Sequence, residues 1–155
     1  QPTSAELAEI ALLAADLAKS FDVDPKVALL AFSSFGSVPH PISKRVADAV
    51  DIVRAKNPDI VIDGEMHLDT ALVEEIVTTN YPHSRIKGDA NVLIFPDLTS
   101  GNIGYKIAQR AGSADAIGPL LMGMKKPVNV LQHGMTVAEI VNVAAITAVT
   151  ADAPK

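Results

Sequence analysis

The chain has 155 residues, of which 48% are hydrophobic and 20% are charged, and its net charge is −5. This composition provides a substantial apolar core and excludes disorder over most of the length. The negative charge disfavours non-specific nucleic-acid binding, and the lack of cysteine excludes disulfides, thiol nucleophiles and thiolate metal sites.

The sequence shows no targeting or membrane segment. Its first residues lack the basic region of a signal peptide, and no apolar run approaches the roughly 20 residues of a membrane helix. We therefore expect a cytoplasmic protein whose partners are small molecules or other protein chains. Because the chain begins with Gln1, we also expect it to be part of a longer polypeptide.

The hydrophobic pattern predicts helices and short buried strands in alternation. Thr3 and Glu6 form the spacing of a capping box before the first helix, and Thr136 and Glu139 repeat it before the last. The predicted elements, in chain order, are a helix to residue 20, a strand at 26–32, a helix at 42–56, a strand at 60–62, a helix at 69–79, a strand at 92–96, a helix at 102–111, strands at 116–121 and 128–131, and a helix towards residue 150.

The predicted strands are apolar throughout, which is typical of a parallel sheet covered on both faces. We therefore predict an α/β fold, a three-layer αβα arrangement with a mostly parallel sheet. Residues 1–150 are predicted to form a single domain, and residues 151–155 a frayed tail.

Polar or glycine-rich loops follow four of the predicted strands. The carboxyl ends of parallel strands lie along one edge of a sheet, so we predict that these loops converge on a shared cleft. The segment 91–110 is the most informative, because a buried strand leads through Asp97 and small residues to a helix N-terminus, which suits an anion. The loops are 33–37, 63–65, 97–102 and 118–129.

Several charged residues allow two interpretations. Asp63, Glu65 and Asp69 can bind a metal or act as acid and base; alternatively Asp63 ends a strand, Glu65 is solvated and Asp69 caps a helix, which we favour. Lys106 can pair with a phosphate or with Asp97. The histidines do not have metal-ligand spacing, so no metal site is predicted. Fingerprints of a dinucleotide site or a P-loop are also missing.

The chain resembles the phosphate acetyl/butyryl transferase family. The family pattern PDLxxGNxxYK is present at 96–106, GPxxxGxxKPVNxL at 118–131 and DGxxxxD at 63–69, and the likeness extends over residues 6–149. The resemblance implies the later part of the phosphotransacetylase-like fold, in which two αβα lobes surround a coenzyme A cleft.

One departure concerns the loop after KPVNxL. Phosphotransacetylases typically carry a Ser-Arg pair there and an Asp several residues later. The resemblance implies that the arginine stabilises charge on the acetyl carbonyl or phosphate, and that the acid helps to take the thiol proton. The corresponding residues are Gln132, His133 and Glu139. Histidine lacks the permanent charge and bidentate fork of arginine, a loss on the order of 100-fold in rate, so we expect a degenerate site.

A second resemblance concerns segments 34–41, 63–66 and 122–132, which are similar to the phosphotransacetylase-like C-terminal domain of hybrid NADP-dependent malic enzymes. It implies an oligomerisation domain with no cofactor of its own that binds acetyl-CoA as an effector. In such proteins a separate catalytic part, with NADP and Mg or Mn, oxidatively decarboxylates malate to pyruvate.

We therefore predict a regulatory, homo-oligomeric domain of a malic enzyme without catalytic residues. The alternative is an active phosphate acetyltransferase that converts acetyl-CoA and phosphate to acetyl phosphate and CoA, using Gln132, His133 and Glu139. A purely structural dimerisation domain is a third possibility. The candidate ligand contacts come from the predicted loops and the residues after them: Ser33, Ser34, Gly36, Ser37, Asp97, Gly101, Asn102, Lys106, Lys126, Asn129, Gln132 and His133.

Overall fold

The computed structural model describes residues 1–152. Its elements are α1 (Ser4–Lys19), β1 (Lys26–Leu30), α2 (Pro41–Lys56), β2 (Val61–Met66), α3 (Leu68–Leu72), α4 (Glu74–Asn80), β3 (Val92–Ile94), α5 (Leu98–Arg110) and α6 (Val137–Asp152).

The chain divides into two compact units, and the boundary lies inside α5. Unit 1 is Gln1–Ile103, and unit 2 begins at Gly104. A single domain at 1–150 stays a prediction. Within the predicted frayed tail, residues 151 and 152 belong to α6, and residues 153–155 lie outside the described part of the chain.

Unit 1 is built on a three-stranded sheet with the order β2-β1-β3. Both pairs of neighbours are parallel, and Val27 of the central strand lies opposite Ile62 on one side and Val92 on the other. The predicted α/β fold with a parallel sheet is confirmed. All three strands therefore end at the same edge, which is where sheets of this kind place their ligands.

Side chains of β1 alternate between two hydrophobic clusters, one on each face of the sheet. Val27 and Leu29 pack with buried residues of α1 and α2. Ala28 and Leu30 pack on the opposite face, with Met66, Ala71 and Ile86. Burial of each larger aliphatic side chain stabilises the fold by about 1.5–3 kcal/mol, which explains why residues 27–30 of β1, covered on both faces, are all apolar.

Both predicted capping boxes are present. At α1, the Glu6 N–H donates to the Thr3 hydroxyl over 3.2 Å, and the Thr3 N–H donates to the Glu6 carboxylate over 2.7 Å. At α6, the corresponding distances between Thr136 and Glu139 are 3.3 and 2.6 Å. The starts of the first and last helices are therefore confirmed.

The second strand is longer than predicted. β2 continues through Asp63, Gly64 and Glu65, which were expected to form a loop. The two carboxylates are buried in the strand because each has a partner: Asp63 accepts from the Arg54 guanidinium over 2.7 Å, and Glu65 accepts from the Ser33 hydroxyl over 2.7 Å. Conversely, β1 and β3 stop at Leu30 and Ile94, short of their predicted ends.

The predicted helix at 69–79 is two short helices, α3 and α4. The break is at Val73, whose φ of −120° and ψ of 110° are extended. Gly88 lies against this break, because a Cβ built there would be 2.2 Å from the Glu74 nitrogen. The segment after Gly88 also bonds to α3, since the Ala90 N–H donates to the backbone oxygen of Ala71 over 3.2 Å.

The predicted strands at 116–121 and 128–131 do not form in the described residues. A strand needs a neighbouring backbone ladder, and here a backbone donor has a side-chain partner instead: the Leu121 N–H donates to Asn129 Oδ1 over 2.8 Å. Gly118, at a φ of +144°, and Pro119 interrupt the first segment. Within residues 1–152, no helix is long and apolar enough to cross a membrane.

Candidate functional site

The loop that follows β1, residues 33–37, lies at the carboxyl edge of the sheet and is called the serine loop here. Four of its five backbone N–H groups, those of residues 34–37, and the N–H of Val38 after it have acceptors within unit 1. Three of these N–H groups donate to side chains: Ser34 to Ser37 Oγ over 3.0 Å, Gly36 to Glu65 Oε1 over 2.8 Å, and Val38 to Ser33 Oγ over 3.1 Å. The other two donate to backbone carbonyls: Phe35 to that of Glu65 over 2.8 Å, and Ser37 to that of Ser34 over 3.1 Å. These amides are therefore not available to bind a phosphate.

Glu65 anchors the serine loop to β2. Its side chain is buried, and Oε1 accepts both the Ser33 hydroxyl, over 2.7 Å, and the Gly36 N–H, over 2.8 Å. The strand comes close to β1 just before it: a Cβ on Gly64, at a φ of +143°, would be 2.6 Å from the Leu29 oxygen. Only glycine therefore fits at position 64.

The four predicted ligand contacts of the serine loop differ in exposure. Ser33 and Ser34 are buried, and their hydroxyls are bonded inside unit 1. Ser34 Oγ accepts the His67 N–H over 2.9 Å and lies 3.5 Å from Thr70 Oγ1. Gly36 and Ser37 are exposed. The accessible part of the loop is therefore its second half.

Asp97 caps α5, which explains why this helix begins at Leu98 rather than at 102. Its Oδ1 accepts the Ser100 N–H over 2.8 Å and the Ser100 hydroxyl over 3.1 Å. The bond from the Ser100 N–H holds the pKa of Asp97 below its ordinary value. The position that an anion would take at this helix end is thus occupied by Asp97. Gly101 and Asn102 lie in the first turns of α5, and Asn102 is exposed.

The predicted carboxylate cluster consists of structural contacts. Asp63 is tied to Arg54 through Oδ1, and Oδ2 accepts the Ser84 hydroxyl over 3.1 Å and the Arg85 N–H over 2.7 Å. Among residues 1–152, no group of three or more His, Asp or Glu side chains could hold a metal ion. All three details of the favoured interpretation were wrong: β2 continues past Asp63 to Met66, Glu65 is buried, and the N-cap of α3 is His67 rather than Asp69.

In unit 2, residues 132–135 form a tight turn, called the histidine turn here. The Met135 N–H donates to the Gln132 carbonyl over 3.4 Å, and Gly134 has a φ of +85°, as the third position of a type II turn requires. The Gln132 N–H also contacts Met135 Sδ over 3.1 Å. The side chains of Gln132 and His133 are exposed, so the turn presents both immediately before α6.

Glu139 follows this turn and belongs to the α6 capping box. Its Oε2 accepts the Thr136 N–H over 2.6 Å and the Thr136 hydroxyl over 2.8 Å. These bonds, chiefly the one from the N–H, hold the pKa of Glu139 below its ordinary value. None of the hydrogen bonds among residues 1–152 uses its other oxygen, Oε1. The carboxylate is therefore fixed in position but is a weaker base than an ordinary glutamate.

The remaining predicted contacts of unit 2 have mixed environments. Asn129 is half-buried, and its Nδ2 donates to Thr147 Oγ1 over 2.7 Å, which ties the preceding loop to α6. Lys126 is exposed. Lys106 is also exposed, and its Nζ lies 5.0 Å from the centre of the Tyr105 ring.

The residue that sequence reasoning missed is Glu65 as the anchor of the serine loop. Its partners Ser33 and Gly36 are far from it along the chain, and no short-range pattern predicts the pairing. The only local signal is an acidic residue inside a largely apolar segment, VIDGEM.

Comparison with known proteins identifies the family. The family model "Phosphate acetyl/butaryl transferase" matches residues 1–148. The chain is 49% identical over 150 residues to the phosphate acetyltransferase of Bacillus subtilis, covering 97% of this chain and 46% of that protein. It is 48% identical over 151 residues to the phosphate acetyltransferase of Clostridium acetobutylicum, covering 97% of this chain and 45% of that protein.

Solved structures show the same likeness. A phosphotransacetylase from Streptococcus pyogenes superimposes with a TM-score of 0.94 and 50% identity, covering 97% of this chain and 46% of that one. The EutD phosphotransacetylase from Staphylococcus aureus gives a TM-score of 0.92 and 43% identity, covering 97% and 47%. The chain thus spans about half the length of the relatives it matches.

The prediction of a malic enzyme domain is wrong, because relatives that match almost the whole chain at 48–49% identity are phosphate acetyltransferases. The expected oxidoreductase activity and the attached malate-oxidising part are overturned with it. The homo-oligomer, the cytoplasmic location and the lack of a nucleic-acid partner stay predictions. The first resemblance is confirmed: the chain belongs to the phosphate acetyl/butyryl transferase family.

Proposed function

We propose that the protein is a phosphate acetyltransferase that transfers an acetyl group between coenzyme A and phosphate. The observation that carries the proposal is the 49% identity to a phosphate acetyltransferase over 97% of the chain. In the reaction the C–S bond of acetyl-CoA breaks, a C–O bond to phosphate forms, and the sulfur leaves as thiolate or takes a proton. Since the chain spans about half of that relative, the proposal is for the whole protein.

The histidine turn is suited to stabilising the charge that develops on the acetyl oxygen. The Gln132 amide and the His133 ring N–H are donors on a turn that Gly134 and the α6 capping box hold in place. Donors fixed before the reaction stabilise a transition state without reorganisation. Gln132 and His133 therefore polarise the carbonyl in this proposal, although they lack a permanent charge.

Glu139 is the proposed acid–base group. Its Oε2 is engaged with Thr136, and Oε1 is the oxygen that would exchange a proton with the thiol of coenzyme A. The lowered pKa makes proton removal less efficient but leaves the group ionised at neutral pH.

The proposal is tested by phosphate-dependent release of the coenzyme A thiol from acetyl-CoA, measured on the full-length natural protein. We expect His133→Ala and Gln132→Ala each to lower kcat by roughly 10- to 100-fold. Gln109→Ala, in the last turn of α5, is the matched control and is expected to keep the wild-type rate. No turnover by the wild-type protein, or release that does not need phosphate, would overturn the proposal.

A further inference from the structure

A chain of three side chains connects the surface of the serine loop to its buried anchor. Ser37 is exposed, its Oγ lies 3.3 Å from Ser33 Oγ, and the Ser33 hydroxyl donates to Glu65 Oε1 over 2.7 Å. Ser33 and Glu65 are buried. The buried pair therefore controls how the exposed hydroxyl is oriented.

The direction of the bond between the two serines follows from counting donors and acceptors. A hydroxyl has one proton to donate and two lone pairs that accept. Ser33 gives its proton to Glu65, so both of its lone pairs accept, one from the Val38 N–H over 3.1 Å and the other from Ser37. Ser37 must therefore be the donor in the Ser37–Ser33 bond.

The same count of donors and acceptors shows that the Ser37 hydroxyl has one lone pair without a hydrogen bond. Its proton goes to Ser33, and one lone pair accepts the Ser34 N–H over 3.0 Å. The remaining lone pair belongs to an exposed side chain at the carboxyl edge of the sheet. Ser37 thus offers a ligand an acceptor and no donor.

We propose that Ser37 Oγ binds an N–H or O–H donor of the acyl-CoA substrate, with Ser33 and Glu65 as positioning residues that fix its polarity. This inference rests on the proposed function. The pantetheine arm of coenzyme A carries amide N–H groups and a hydroxyl, which are such donors. Inorganic phosphate is chiefly an acceptor, and the backbone N–H groups of residues 34–38 are already used by other acceptors. Ser37 therefore contacts the thioester substrate and not the phosphate substrate.

The test is a separate measurement of KM for acetyl-CoA and for phosphate on the full-length natural protein. Ser37→Ala is expected to raise KM for acetyl-CoA about 3- to 10-fold, the effect of one neutral hydrogen bond, with KM for phosphate unchanged. Ser33→Ala is expected to do the same, because it removes the acceptor that holds the Ser37 proton inwards. Thr79→Ala, which removes an exposed hydroxyl of α4, is the matched control and is expected to change neither constant.

Glu65 is tested by rescue. Glu65→Gln keeps an oxygen that accepts from Ser33 and Gly36 and is expected to retain the wild-type KM for acetyl-CoA, whereas Glu65→Leu is expected to raise it. Melting curves identify any variant that fails to fold. If Glu65→Leu does not fold, Ser37→Ala still tests the inference, because Ser37 is exposed. An unchanged KM for acetyl-CoA in Ser37→Ala, or a change in KM for phosphate instead, would sink the inference.

Calorimetry with coenzyme A separates this inference from the proposed function. A wild-type protein that binds coenzyme A but transfers no acetyl group removes the proposed function, and the dissociation constant of Ser37→Ala still decides the role of Ser37. A wild-type protein that neither binds coenzyme A nor transfers an acetyl group would contradict both the proposed function and this inference.

Discussion

Two glycines beside the serine loop have different reasons for being glycine. Gly64 has a φ of +143°, and a Cβ there would lie 2.6 Å from the backbone oxygen of Leu29. Gly36 has a φ of +81°, but a Cβ there would meet nothing within 4 Å. At position 64, both the backbone conformation and the neighbouring strand therefore disfavour any other residue, whereas at position 36 only the backbone conformation does.

We expect Gly64→Ala to lower the free energy of unfolding by about 3 kcal/mol or more, because backbone strain adds to a collision that cannot relax without separating β1 from β2. Gly36→Ala should cost only about 1–2 kcal/mol, the strain of a left-handed residue. Denaturant unfolding of both variants measures the difference. Equal losses would show that the close approach to Leu29 carries no cost.

A substitution at His133 is predicted to raise the catalytic rate. His133→Arg places a permanent charge and a bidentate donor on the histidine turn, at the position where the resemblance to phosphotransacetylases implies arginine. We expect kcat for acetyl transfer to rise about 10-fold or more in the full-length protein. Thr79→Arg adds the same charge on exposed α4 and controls for a general effect of charge. A rate that stays constant or falls would show that His133 is not at the reacting carbonyl.

At the scale of secondary structure, the elements that could be predicted carry their signals locally. The capping boxes at Thr3 and Thr136 are complete within a single helical turn, so both helix starts were confirmed. Asp97 and Ser100 also form a cap, but the small residues around them resembled a loop, so the start of α5 was placed too late. Because β2 depends on partners from distant parts of the chain, such as Ser33 and Ser84, its end could not be predicted.

The α6 cap gives a pH prediction. The pKa of Glu139 is lowered by its bond from the Thr136 N–H, so the carboxylate stabilises the helix start above the unfolded-state pKa. This contribution is lost as the pH falls through the lower, folded-state pKa. We expect amides at the start of α6 to lose hydrogen-exchange protection as the pH is lowered from about 5 to 3, after correction for the intrinsic exchange rate.

Glu139→Gln separates capping from catalysis, because glutamine also closes a capping box but does not accept a proton. We expect the variant to keep the α6 helix, to lose its acid sensitivity between about pH 5 and 3, and to lower kcat about 100-fold or more. NMR of the α6 amides and the thiol-release assay measure the two effects. Full activity in Glu139→Gln would exclude Glu139 as the base while leaving its capping role intact.

At the scale of the whole molecule, fold class and family could be predicted because they depend on patterns spread along the chain. The finer assignment to a malic enzyme domain was wrong, because it followed the likeness of three short segments, 34–41, 63–66 and 122–132, whereas relatives that match 97% of the chain are phosphate acetyltransferases. The weakened catalysis expected from Gln132 and His133 stays a prediction. Of the four predicted loops, the segments at 33–37, 63–65 and 97–102 belong to unit 1, in or directly after its parallel strands, and the fourth belongs to unit 2.

Hydrophobic burial is distributed unequally between the units. Both hydrophobic clusters lie in unit 1. In the described part of unit 2, Val143 is the only buried apolar residue, and Val137 is 78% exposed. Since apolar burial is the main stabilising contribution, local opening should require much less free energy in unit 2.

Hydrogen exchange followed by mass spectrometry on this 155-residue chain tests the difference. We expect the amides of β1 and α2 to exchange most slowly, because β1 packs in the clusters on both sheet faces and α2 supplies buried residues to one of them. Residues 113–136, which contain no helix or strand, should exchange fastest, and α6 should exchange faster than α2 although both are helices of 16 residues. Since length is matched, the comparison isolates burial. Equal protection of α6 and α2 would mean that the exposed apolar side chains of unit 2 are covered in solution.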